Sequence, residues 1–164
     1  MITKKTKIII VIIFSIISII FVLFSYFGYI RYINLKYSSI DKYIENYSKL
    51  PKAYLNNRVV ISLSNQKNNI DNLTIMLISI LDQTVKVDQI SLNVPLTHVT
   101  TLPNIYNNIL NIFHTNIDYV NYENIIPCIL REGNSDTKII CLNNNYIYGI
   151  DFIESMVDES NNHP

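Results

Sequence analysis

The 164-residue sequence has no Trp and only three Gly, five Pro, two Cys and three His. So few glycines leave no glycine-rich phosphate loop, in which bare backbone must approach an anion closely. The three histidines, His98, His114 and His163, are scattered without metal-ligand spacing, and His114 reads as a helix-end residue favoured by the helix dipole. Cys128 carries no local signature of a nucleophile. Both Cys128 and Cys141 sit among apolar neighbours that suit buried free thiols, with pairing in an oxidising lumen as the alternative. An excess of one charge is also missing, since 13 Lys and Arg face 13 Asp and Glu. A nucleic-acid groove needs clustered basic residues to displace counterions, so that class of partner is excluded. The length bounds the chain to about one ordinary domain plus an anchor.

What the sequence does have is a long apolar run. From Ile8 to Ile30 it reads IIIVIIFSIISIIFVLFSYFGYI, without a charge. About 23 residues in a helix rise roughly 34 Å, enough to span a bilayer with modest tilt. The run exceeds the core of a signal peptide, and its end at Ser25, Tyr26, Phe27 and Gly28 lacks a small-residue cleavage site, so a retained single-pass anchor is expected. Lys4, Lys5 and Lys7 suit a cytosolic tail over 1–7, and Tyr26, Tyr29, Tyr32 and Tyr37 suit an interfacial belt at the far end. The partner implied is the lipid bilayer, with the C-terminal part lumenal or extracytoplasmic. Arg31, Lys36 and Lys42 nearly balance the tail in number, which weakens the charge asymmetry. The sequons at Asn46-Tyr47-Ser48 and Asn72-Leu73-Thr74 are glycosylation candidates compatible with a lumenal side.

Beyond a stem at 31–57, containing a helix over Ser39 to Leu50, the domain is expected over 58–164. Arg58 to Ser64 (RVVISLS) is a β-branched run that suits a strand buried on both faces. Asn69 to Asp82 predicts a largely buried helix, Gln89 to Val94 a second strand stopped by Pro95, and Pro103 to His114 a helix bearing Ile105, Ile109, Ile112 and Phe113. Ile117 to Asn121 then predicts a third strand, Asn124 to Glu132 a helix closed by Gly133, and Thr137 to Leu142 a fourth strand. Asp151 to Glu159 predicts a last helix in which Asp151 and Glu154 have capping-box spacing. Such alternation implies an α/β fold with a Rossmann-like parallel sheet and helices on both faces. Ligands of such sheets bind beyond the carboxyl ends of the strands, here Ser64 with Asn65, Pro95, Asn121 and Asn143 to Asn145. Asp82 and Asp88 read as solvated turn residues flanking a helix–strand loop.

The segments RVVISLS, SILDQTVKVDQISLNVP (Ser79 to Pro95) and KIICLNNNYIYGIDFIE (Lys138 to Glu154) together resemble glycosyltransferase-like proteins of the GT-A type, over Arg58 to Glu159. The resemblance implies a sugar nucleotide held near Ser62, Ser64, Asn65, Tyr122, Asn143, Asn144 and Asn145. In that family an Asp triplet at a strand end holds Mn²⁺ or Mg²⁺ against the diphosphate, and the matching positions here are Asn143, Asn144 and Asn145. Neutral amides bring no charge to compensate a hard cation, so the resemblance implies a degenerate metal site at Asn143 and Asn145, and no cofactor unless the triplet still binds metal. A family segment of the type Asp-Tyr-Gly-Pro-Ala-Thr-Lys is eroded here to Asn121, Tyr122, Glu123 and Asn124, without its basic residue. The match stops after the first half of a GT-A domain. The expectation is therefore a truncated, degenerate transferase-like protein. The alternatives are an active or split transferase needing a second chain, or a non-catalytic interaction protein whose bare sheet edge is covered by a partner or a second copy.

Overall fold

A computed structural model describes residues 4–26, 28–64, 70–97, 106, 108–133 and 136–163. It divides into two compact units, Met1–Ser38 and Ser39–Pro164.

In the first unit, α1 runs over Lys4–Tyr26 and buries no residue within the protein. It is the one helix among the described residues long and apolar enough to cross a membrane, with a mean hydropathy of 3.3. Two of its three serines turn their hydroxyls back on the helix: Ser15 donates to the Val11 carbonyl and Ser18 to that of Phe14, each at 2.9 Å. Polar groups satisfied within the segment are what a helix in lipid requires. The helix takes in the three tail lysines and ends before Gly28, whose φ of 69° only glycine adopts without strain. A second helix, α2, follows over Tyr29–Tyr37, so Tyr29 and Ile30, read from the sequence as the end of the span, lie beyond the break.

The second unit contains α3 (Ile40–Ser48), β1 (Val59–Ser64), α4 (Ile70–Leu81), β2 (Gln89–Pro95), β3 (Leu110–Thr115), α5 (Ile126–Arg131), β4 (Lys138–Cys141) and α6 (Phe152–Asn162). The strands form one sheet in the order β3-β2-β1-β4. Every pairing is parallel. The expected α/β class with a parallel sheet is thus present.

Alternation along the strands gives the sheet two different faces. Val59, Ile61 and Leu63 of β1 and Ile90, Leu92 and Val94 of β2 join Leu73, Met76, Leu77 and Ile80 of α4 and Ile153 and Val157 of α6 in one core. Each such side chain, fully buried, contributes roughly 1.5–3 kcal/mol. On the opposite face the register sets Ser62 beside Ser91 and Cys141, and Asn93 beside Phe113. That face is polar and lies under α5.

Two expectations about elements are corrected. Residues 110–115 form a strand, not the end of a helix, and His114 therefore sits in β3. Ile109, Ile112 and Phe113 have helical spacing, but Leu110 and Ile112 also alternate with Asn111 and Phe113. Pairing with Ile90 and Leu92 decides for the strand. The part of the expected helix at 103–105 lies outside the described residues. The strand expected at Ile117 to Asn121 is instead a loop leading into a 3₁₀ turn at Val120–Tyr122. Within 39–57, Ile40, Ala53 and Tyr54 pack on the core. Ala53 N–H donates to the Lys86 carbonyl and Lys86 N–H to that of Pro51, both at 2.8 Å.

The start of α6 also differs in detail. The Asp151 side chain makes no capping bond. Gln83, 5 % exposed, does this work from just past the end of α4, accepting from Ile153 N–H at 3.0 Å and donating to the carbonyls of Gly149 and Ser79. Glu154 accepts from the Thr84 hydroxyl at 2.7 Å instead of reaching back to Asp151. Gly133 does not close α5 in the left-handed conformation, which Gly28 alone among the described glycines adopts.

Candidate functional site

The chain passes from β1 outward to β2 and β3 on one side, and β4 lies on the other side of β1. The strand order therefore reverses between β1 and β4, and the crevice at such a switch point is where open parallel sheets take ligands. Ser64 ends β1 there. Beyond β4, Leu142 N–H still donates to the Ser62 carbonyl at 3.0 Å, which delivers the chain into Asn143 at the same edge.

The Asn triplet makes a turn that is largely committed to itself. Asn143 Oδ1 accepts from Asn145 N–H at 2.9 Å. The Tyr148 hydroxyl accepts from Asn143 N–H at 2.8 Å and donates to the Asn143 carbonyl at 3.0 Å. Burial pushes the Tyr148 phenol up, opposed by its bond to the Asn143 backbone, so it stays protonated and able to donate. A divalent cation needs anionic oxygens converging on one point. Here the strand-end amide oxygen is occupied by a neighbouring N–H, and the triplet carries no charge. Among the described residues no three His, Cys, Asp or Glu side chains gather as a metal group.

The other candidates divide. Asn65 lies outside the described residues. Tyr122 is exposed, and its neighbour Asn124 reaches the end of β4: Asn124 Nδ2 donates to the Leu142 carbonyl at 3.4 Å, and the Cys141 thiol donates to the Asn124 carbonyl at 3.3 Å. The loop after β3 and the Asn triplet thus converge on one edge. Ser62 is elsewhere, fully buried on the polar face under α5. The sequons at Asn46 and Asn72 fall within α3 and α4, both exposed.

Sequence reasoning missed two constellations. In the first, Asn93 Nδ2 donates to Ser62 Oγ at 3.0 Å and to the Leu63 carbonyl at 3.2 Å, while Arg131 donates to Asn93 Oδ1 at 2.6 Å. The Arg131 guanidinium also lies 3.8 Å over the Phe113 ring. Burial pushes the Cys128 thiol in this cluster up, against its bond to Ser62 and the charge of Arg131. The alternation of Ser91 and Asn93 within ISLNVP was the available signal. In the second, Glu123 is fully buried and accepts from the Thr115 hydroxyl at 2.5 Å and from Tyr119 N–H at 3.0 Å. Between them, Asp118 Oδ1 accepts from Val120 N–H at 2.8 Å, and Val120 holds a φ of 52°. A β-branched residue there is a genuine outlier.

Both cysteines are free, Cys128 buried and Cys141 exposed. Asp88 is more than a solvated turn residue. Its carboxylate meets Lys52 Nζ at 2.8 Å and accepts from Val59 N–H at 2.9 Å, fixing the start of β1 at the edge opposite the candidate site. No protein-family model, curated protein or solved structure matches the chain.

Proposed function

We propose that the unit at 39–164 is a glycosyltransferase-like domain of the GT-A type, carried on a membrane anchor, whose metal site has been lost and which performs no metal-assisted transfer on its own. The observation that carries this reading is the position of Asn143 to Asn145 at the switch point between β1 and β4, where the resemblance expects carboxylates, with Asn143 bound into its own turn. The crevice would take the diphosphate of a sugar nucleotide. Without a cation or a basic residue to offset its charge, binding would be weak.

Calorimetry of the full chain with Mn²⁺ and nucleotide-diphosphate sugars, before and after restoring carboxylates at Asn143 and Asn145, tests the proposal.

A further inference from the structure

The segment from the 3₁₀ turn through α5 is inverted relative to an ordinary amphipathic helix. Its inner side carries Glu123 and Cys128, both fully buried, and Arg131 against Asn93. Its outer side carries Tyr122, Ile129 and Leu130, which are 60 %, 56 % and 71 % exposed. Ile126, Ile129 and Leu130 follow one another at i, i+3 and i+4, the spacing of a single helix face. A helix normally turns such a stripe to the core and its polar residues outward. Here Cys128 and Arg131 are held inside by the sheet's Ser62 and Asn93, Glu123 is held by Thr115 and the Tyr119 N–H, and the apolar stripe is left facing out.

We infer that this stripe lies in the lipid interface of the membrane that α1 enters. This rests on the reading of α1 as an anchor and is independent of the glycosyltransferase-like assignment. The chain between Tyr26 and Ile40 reaches at most roughly 50 Å even when extended. A bilayer holding α1 is therefore present at high effective concentration for every surface of the domain. Ile126, Ile129 and Leu130 bear no charge and no side-chain hydrogen-bonding group, so they offer nothing directional by which a protein partner would fix its register. A non-directional apolar medium asks for none. Tyr122, at the start of the stripe, has the amphipathic ring that settles at the headgroup level.

The absence of Trp from the chain makes the test direct, since one introduced Trp is the only such fluorophore. The full chain in liposomes would carry Leu130→Trp or Ile129→Trp in the stripe, Phe21→Trp in α1, or Asn161→Trp on the exposed side of α6. The expected result is blue-shifted emission from both stripe variants, with loss of that emission when the lipids carry brominated acyl chains. Phe21→Trp should be quenched as well, and Asn161→Trp should keep water-exposed emission. Quenched Phe21→Trp beside water-exposed, unquenched stripe variants would overturn the inference while leaving the anchor intact. Blue-shifted but unquenched stripe variants would assign the stripe to a second copy or another protein, and equal quenching of Asn161→Trp would remove its specificity. An unquenched Phe21→Trp would overturn the anchor reading and this inference together.

Discussion

The hydroxyl of Tyr148 closes on both backbone groups of Asn143, accepting from its N–H and donating to its carbonyl. A single phenol thereby fixes the residue that follows the β4 edge. Because both backbone groups are near water, Tyr148→Phe should cost about 1 kcal/mol, the net worth of an ordinary hydrogen bond. Chemical denaturation of the full chain in detergent measures it. No loss would mean that the turn stands without Tyr148.

At Val120 the expected sign is the reverse. Val120→Gly relieves the left-handed strain at φ 52° and loses some of that gain to the greater freedom of glycine in the unfolded chain. A net stabilisation of about 1 kcal/mol is expected, from strain of roughly 1–3 kcal/mol against a glycine cost of roughly 0.5–1. Destabilisation by the glycine variant would show that Val120 is not strained in this turn.

The Asp88 carboxyl has its pKa pushed up by burial, but the bonds from Lys52 and Val59 N–H and the charges of Lys52 and Arg58 outweigh burial and hold it below its ordinary value of 3.8. A carboxylate lowered on folding stabilises the protein above its unfolded pKa. That stability is lost as pH falls through the folded value. Asp88→Asn should cost about 1–3 kcal/mol at neutral pH, as for a removed charge-assisted bond, and should flatten the fall of stability below about pH 4. An unchanged acid limb in the variant would contradict the role given to Asp88.

Burial raises the pKa of both thiols, so neither is a poised thiolate. Maleimide should label exposed Cys141 in the folded protein and reach Cys128 only in denaturant. Mass spectrometry of the labelled chain reads the two sites separately, and equal rates would show that Cys128 is not buried between α5 and the sheet.

Much of the fold was legible because it was written in local patterns. β1 announced itself by an unbroken β-branched run, which only burial on both faces explains, and α4 by its apolar length. β3 was not legible, because its residues satisfy helical and strand spacing alike until β2 is there to pair with. The cap on α6 was invisible for a related reason: Gln83 is 70 residues from Ile153. At the candidate site the Asn triplet and its strand end were readable from position alone. Its commitment to Tyr148 was not, nor was the strain at Val120, which no sequence pattern encodes. The polar face under α5 escaped notice because a short Ile-rich helix invites the assumption that its apolar residues point inward.

If the proposed reading holds, Asn143 and Asn145 stand where carboxylates would otherwise hold a metal against a diphosphate. Titration calorimetry of the full chain in nanodiscs, with Mn²⁺ and a nucleotide-diphosphate sugar, tests it most directly against the Asn143→Asp, Asn145→Asp double variant. No Mn²⁺-dependent gain in sugar-nucleotide affinity is expected for the natural sequence, and such a gain is expected once the two carboxylates stand at the end of β4. Mn²⁺-dependent binding by the natural sequence, or none by the double variant, would contradict it.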